Sequence, residues 1–258
     1  MPNFKILIIA YAGFLALTSS SALADLKIGV AAEPYPPFTS KDSTGQWVGW
    51  EIDVVNAVCA EIHEKCEIVE TAWDGIIPAL NANKIDVIAA SMAITPKRKE
   101  VIDFSTPYYQ SAAVMIGSKN GDMDVTPAHL AGKTIGVQVS TIHAAYLEKY
   151  FAKSSTIKTY QTQDEANQDL SAGRIDYILA NGLALDAFLK TAADTIESKG
   201  AVSYDADVFG LGVGFGLRKD EAGLTAKLSE AIAALAKTGA LEKISTKFGI
   251  LGKIELPK

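Results

Sequence analysis

Residues 72–109, AWDGIIPALNANKIDVIAASMAITPKRKEVIDFSTPYY, constrain the fold more than any other part of the chain. Positions 74–82 space Ile76, Ile77 and Leu80 as a short helix does. Positions 85–90 are an apolar, β-branched run, the pattern of a strand covered on both faces in a parallel sheet. Thr95 suits a helix N-cap and Pro96 the first helical position, and Arg98 falls in that first turn. The end of a strand therefore opens on a helix start that carries free N–H groups, a hydroxyl and a guanidinium. Open α/β sheets bind ligands at such places, and this chemistry suits an anion such as a carboxylate.

The same alternation runs through the chain. Residues 26–31 (LKIGVA) read as a strand, and Pro34, Pro36 and Pro37 force an extended loop after it that carries Tyr35 and Phe38. A turn at 41–46 precedes a helix at 53–63 with Val54, Val55, Ala57 and Val58 on its apolar side, then a strand at 66–69. Strands are expected at 111–116 and 134–138. The second of these feeds a helix that starts near His143 and ends at Phe151, a second mouth suited to an anion. A helix at 163–172, stopped by Gly173, precedes a strand at 174–179 with Asn181 just beyond. Residues 209–217 (FGLGVGFGL) pack closely through their glycines. An amphipathic helix at 220–237 carries Leu224, Leu228, Ile232 and Leu235, and a last helix at 241–248 leaves a loose tail. Alternating strands and helices give the α/β class.

The start of the chain is a separate matter. Lys5, the apolar run 6–17 and Ala22-Leu23-Ala24 read as a secretory signal peptide ending at residue 24. The run is about 12 residues, short of the roughly 20 that a spanning helix needs. No cysteine follows it to take a lipid anchor, so the mature chain is expected to begin at Asp25, free in the periplasm. What remains is long enough for two lobes of roughly 100 residues each. With 24 basic and 30 acidic residues and a net charge of −6, there is no basic stripe for nucleic acid. In an exported chain the even pair Cys59 and Cys66 reads as a disulfide, with two buried thiols as the alternative. His63 alone does not complete a metal site with them, and nothing calls for a cofactor.

GWEIDVVNAVC (49–59), the stretch 73–109 and GVGFGLRKDE (212–221) resemble, in that order, the polar-amino-acid solute-binding proteins of ABC importers, family 3. The branch that binds lysine, arginine, ornithine, histidine or opines is the most similar. The resemblance implies the periplasmic-binding-protein-like type II fold with a two-segment hinge. Residues 25–110 and 207–258 would form lobe 1, and residues 111–206 lobe 2. It implies a monomer that closes on a small ligand and delivers it to a membrane permease. It also implies a disulfide at the place and spacing of Cys59 and Cys66.

By the same resemblance Arg98 takes the ligand's carboxylate with the Ala93 N–H, Ser91, Thr141 and the Ile142 backbone. Tyr35 and Trp73 sandwich its side chain, where cation–π contact is worth roughly 0.5–2 kcal/mol. His143, at the helix start, is a further candidate. The chain departs from the pattern at three points. Ser140 stands where glycine is usual, and Asn181 where an aspartate pairs with the α-amino group. The acid before Tyr35 is Glu33, with Ala32 in the usual acidic place. A substituted α-nitrogen, as in opines, tolerates the loss of that aspartate. The competing reading is an enzyme like the cyclohexadienyl dehydratases, with Glu33 or His143 as acid or base. The scattered His63, His129 and His143 and the lack of a serine triad favour the receptor.

Overall fold

The computed structural model describes residues 25–257. The signal-peptide expectation, residues 1–24, lies outside them, as does Lys258.

The first part of the chain runs β1 (Leu26–Ala31), β2 (Ser40–Lys41), β3 (Trp47–Val48), α1 (Trp50–Glu61), β4 (Cys66–Thr71), α2 (Ile76–Asn81), β5 (Val87–Ile88), α3 (Pro96–Lys99) and β6 (Asp103–Phe104). Then come β7 (Ala113–Ser118), β8 (Thr134–Gln138), α4 (Ile142–Tyr150), β9 (Thr156–Tyr160), α5 (Gln163–Ser171), β10 (Tyr177–Asn181), α6 (Gly182–Thr191) and β11 (Ile196–Ala201). The chain ends through α7 (Ala206–Phe209), β12 (Gly216–Leu217), α8 (Ala222–Lys237) and α9 (Ala240–Lys247).

Two five-stranded sheets result, each the centre of one lobe. The first has the order β4-β1-β5-β12-β6, the second β11-β7-β10-β8-β9. Neither is purely parallel. β12 runs antiparallel to β5 and β6, and β7 runs antiparallel to β10 and β11. The antiparallel members are the strands that flank the crossings of the chain between the sheets. The first sheet takes β12 from the far end of the chain, and there Gly210 has φ 75° and a Cβ would meet the Ile94 carbonyl oxygen at 1.9 Å. Only glycine fits so close an approach. Phe209, just before it, still stacks on Tyr146 of α4 in the second lobe.

Several elements differ from expectation for stated reasons. Helix α1 starts at Trp50, not at 53, because the proline loop caps it: Trp50 N–H donates to the Pro37 carbonyl at 2.8 Å and Glu51 N–H to that of Phe38 at 3.0 Å. The strand expected at 85–90 is a ladder at Val87–Ile88 only. Hydrogen bonds to β1 nevertheless run from Asp86 to Ala89. The 74–82 helix divides into a 3₁₀ turn at Trp73–Gly75 and α2. β9 and β11 are edge strands with polar outward positions, so no apolar run marks them. The tail is not loose. Gln110 and Glu255 exchange two backbone hydrogen bonds of 2.9 Å, and Ile254 is buried.

Trp50, fully buried, packs edge-on against the stacked pair Phe38 and Tyr109 and donates its indole N–H to Ser245 Oγ of α9 at 2.9 Å. Leu228, Ile232 and Leu235 of α8 join the same core. Cys59 of α1 and Cys66 of β4 form a disulfide at a sequence separation of 7. So short a loop gives modest stabilisation: the Cys59→Ala/Cys66→Ala variant should lose about 2 kcal/mol in urea denaturation, and an unchanged midpoint contradicts this.

Candidate functional site

The strand ends of the two sheets face one cleft of about 540 Å³. Glu33, Tyr35, Trp73, Ser91, Ala93 and Arg98 line it from the first lobe, and Thr141, Ile142, His143 and Asn181 from the second. Every residue singled out from the sequence for ligand contact is therefore at this cleft. What each side chain is free to do there differs.

Arg98 is placed by the local signals. Thr95 caps α3, accepting from the Arg98 N–H, with Pro96 at the first helical position. The guanidinium donates Nη1–H to the Ala93 carbonyl at 2.9 Å and Nη2–H to the Ser140 carbonyl of the other lobe at 3.1 Å. It lies 5.4 Å from the centre of the Trp73 ring. Burial lowers its pKa to about 10, and no acid offsets that. The remaining donors of the fork suit a carboxylate.

Helix α4 faces it from the second lobe. Thr141 is its N-cap, with Oγ1 accepting from Ala144 N–H at 3.1 Å and donating to the Gln138 carbonyl at 2.8 Å. The first N–H groups of such a helix, Ile142 and His143 here, have no intrahelical acceptor. The imidazole of His143 is 8% exposed. Burial, and then the charge of Arg98, push its pKa down to about 3, so the ring is neutral.

The chain matches the model of the bacterial extracellular solute-binding proteins, family 3, over residues 26–250. It belongs to that family. It is 37% identical over 237 residues to the L-arginine-binding protein of Pseudomonas aeruginosa, covering 91% of each chain. It is 38% identical over 240 residues to the octopine-binding periplasmic protein of Rhizobium meliloti, covering 84% of this chain and 81% of that one. Among solved structures, an arginine-specific periplasmic binding protein of Salmonella typhimurium superposes with a TM-score of 0.80 at 30% identity, over 88% of this chain and 99% of that one.

The resemblance read from the sequence leads to the expectation of glycine where this chain has Ser140. That residue adopts φ 60°, the left-handed region that favours glycine, and the loop still delivers Thr141 to the cap. Asn181 caps α6: its Oδ1 accepts from Leu183 N–H at 3.0 Å and its Nδ2 donates to Ser111 Oγ at 2.6 Å. The amide is thus held by the protein, with one lone pair to spare.

Two expected roles change. The Ser91 hydroxyl donates to Glu51 at 3.0 Å, so its proton is not aimed at a ligand carboxylate. The Thr141 hydroxyl proton is likewise spent on Gln138, which leaves the backbone N–H groups of α4 as the donors. Arg98 covers one face of the Trp73 ring, which leaves the other face for the stacking expected with Tyr35.

Glu51 was missed from sequence. It is 0% exposed, and it accepts from Ser91 N–H, Ser91 Oγ and the Tyr108 hydroxyl. Burial raises its pKa, which those three donors oppose. It holds Ser91 at φ 50° directly behind the cleft. An acid beside Trp50 in an apolar run was the available signal. Gln163 and, from the docked tail, Lys253 and Glu255 also line the cleft; only long-range pairing brings the tail there.

The neutral His143 has a pH consequence. The unfolded imidazole protonates near 6.5 and the folded one only near 3, so stability present at neutral pH is lost as pH falls through that window. Between pH 7 and pH 5 this amounts to about 2 kcal/mol. The His143→Gln variant should lack that part of the loss in urea denaturation at the two pH values. Equal pH dependence of the two proteins contradicts it.

Proposed function

We propose that the protein is a periplasmic receptor that binds a small polar amino acid or amino-acid derivative between its lobes and delivers it to an ABC permease. The bodies that close are residues 25–110 with 207–258, and 111–206. The observation that carries this reading is Arg98: a half-buried cation, held by two carbonyls and a ring face, with no acid among the described residues offsetting its charge. A ligand carboxylate supplies the missing charge, and the Ala93 N–H and the first N–H groups of α4 complete its shell.

The far end of the ligand meets Glu33 and Tyr35. Glu33 Oε2 is buried with no hydrogen-bond partner, which suits a cationic or N–H-bearing group. A basic amino acid satisfies both ends. An opine does so as well, and two features favour it. Asn181 brings no charge to an α-amino group. A groove of about 660 Å³ shares Pro34, Tyr35 and Gln163 with the cleft, giving room for a longer ligand. The relatives are named for binding, and the site holds its acids and bases for recognition: His143 is neutral and unsuited to give up a proton near pH 7.

A thermal-shift screen with L-arginine, L-lysine, L-histidine and octopine identifies the ligand, since one present at 100 times its Kd adds about 2.7 kcal/mol. For the compound that binds, Arg98→Ala should cost about 2–5 kcal/mol of affinity by titration calorimetry. An affinity unchanged within about threefold, under 1 kcal/mol, overturns the role of Arg98.

A further inference from the structure

We infer that the indole N–H of Trp73 is a latch that holds the two lobes closed, separately from any contact its ring makes with a ligand. It donates to the Val139 carbonyl of the second lobe at 3.0 Å. Both ends of this bond are firmly built. On the first lobe, Trp73 begins the 3₁₀ turn Trp73–Gly75 and its backbone N–H points at Glu33 Oε1, 3.4 Å away. On the second, Val139 N–H donates to the Tyr160 carbonyl at 2.9 Å, and the Thr141 hydroxyl ties the same loop to Gln138. A pull on Val139 is therefore a pull on the second sheet itself.

The latch differs in kind from the neighbouring bond of Arg98 to the Ser140 carbonyl. Arg98 is the group that meets the carboxylate in the receptor reading, so its cross-lobe bond is coupled to ligand. The indole N–H has one proton and spends it on Val139, so its contribution is the same with or without ligand. A phenyl ring at this position would keep a flat face for the Arg98 guanidinium, 5.4 Å from the Trp73 ring centre, but would have no donor. Trp73 is thus a positioning residue that sets how much of the protein rests closed and how slowly a bound solute leaves.

The inference rests on the reading of two lobes that close, and its first readout needs no ligand. Two variants are compared with the wild type: Trp73→Phe, and a chain with 3-benzothienylalanine at position 73, in which sulfur replaces the N–H and the ring area is kept. Small-angle scattering of the ligand-free proteins should give a larger radius of gyration for both. With L-arginine as probe, stopped-flow dissociation should be about two- to tenfold faster in both, the range one net hydrogen bond gives, while association changes little. Unchanged scattering in the benzothienyl protein overturns the latch. So does an effect seen only in Trp73→Phe, which would assign it to lost ring area. If L-arginine fails to bind any of the proteins, the choice of solute fails, and the scattering still decides the latch.

Discussion

A guanidinium partly drawn out of water and not neutralised by the described residues is the constraint on which the site depends. Removing a cation from water is costly, and carbonyl dipoles and an aromatic face offset only part of the cost. Arg98 lies in that condition, its pKa lowered by burial alone. A carboxylate placed against it would restore the charge balance. The carbonyls that hold Arg98, Ala93 and Ser140, belong to different lobes. In the proposed reading, recognition of an anion and approach of the lobes therefore share one side chain.

The rest of the fold keeps that side chain and its surroundings in place. The short helix α3 aims Arg98, and the strand end before it is fixed by Glu51 through Ser91. The acid is buried in turn among Tyr108, Tyr109 and Trp50, whose aromatic stack is closed by Phe38 and Phe215. A carboxylate so deep is retained because three donors satisfy it; replacing it would leave Ser91 to hold a left-handed backbone unaided. On the second lobe the cap at Thr141 and the strained Ser140 present the start of α4.

Local signals made much of this legible from sequence. Thr95-Pro96 marked α3, and the apolar run at 134–138 coincides with β8 as found. Strand-to-helix alternation gave the class, and the motif resemblance brought the residues of both lobes to one cleft. Whatever depends on partners distant in the chain was hidden. That the Trp73 N–H reaches the Val139 carbonyl had no local signal, since the two are 66 positions apart. Ser91 and Thr141 looked like donors because their acceptors, Glu51 and Gln138, could not be assigned without coordinates. The tail seemed loose because its pairing with Gln110 crosses most of the chain. Asn181 is a good N-cap for helix α6, a local role compatible with the ligand contact expected of it.

The most direct test compares solutes that differ only in the carboxylate. Titration calorimetry of L-arginine against agmatine, L-lysine against cadaverine and L-histidine against histamine isolates that group. For whichever amino acid binds, the decarboxylated partner should be weaker by at least about thirtyfold, equivalent to about 2 kcal/mol. Equal affinity within a pair would show that Arg98 and the start of α4 do not recognise an anion, and the account of the cleft would fall with it.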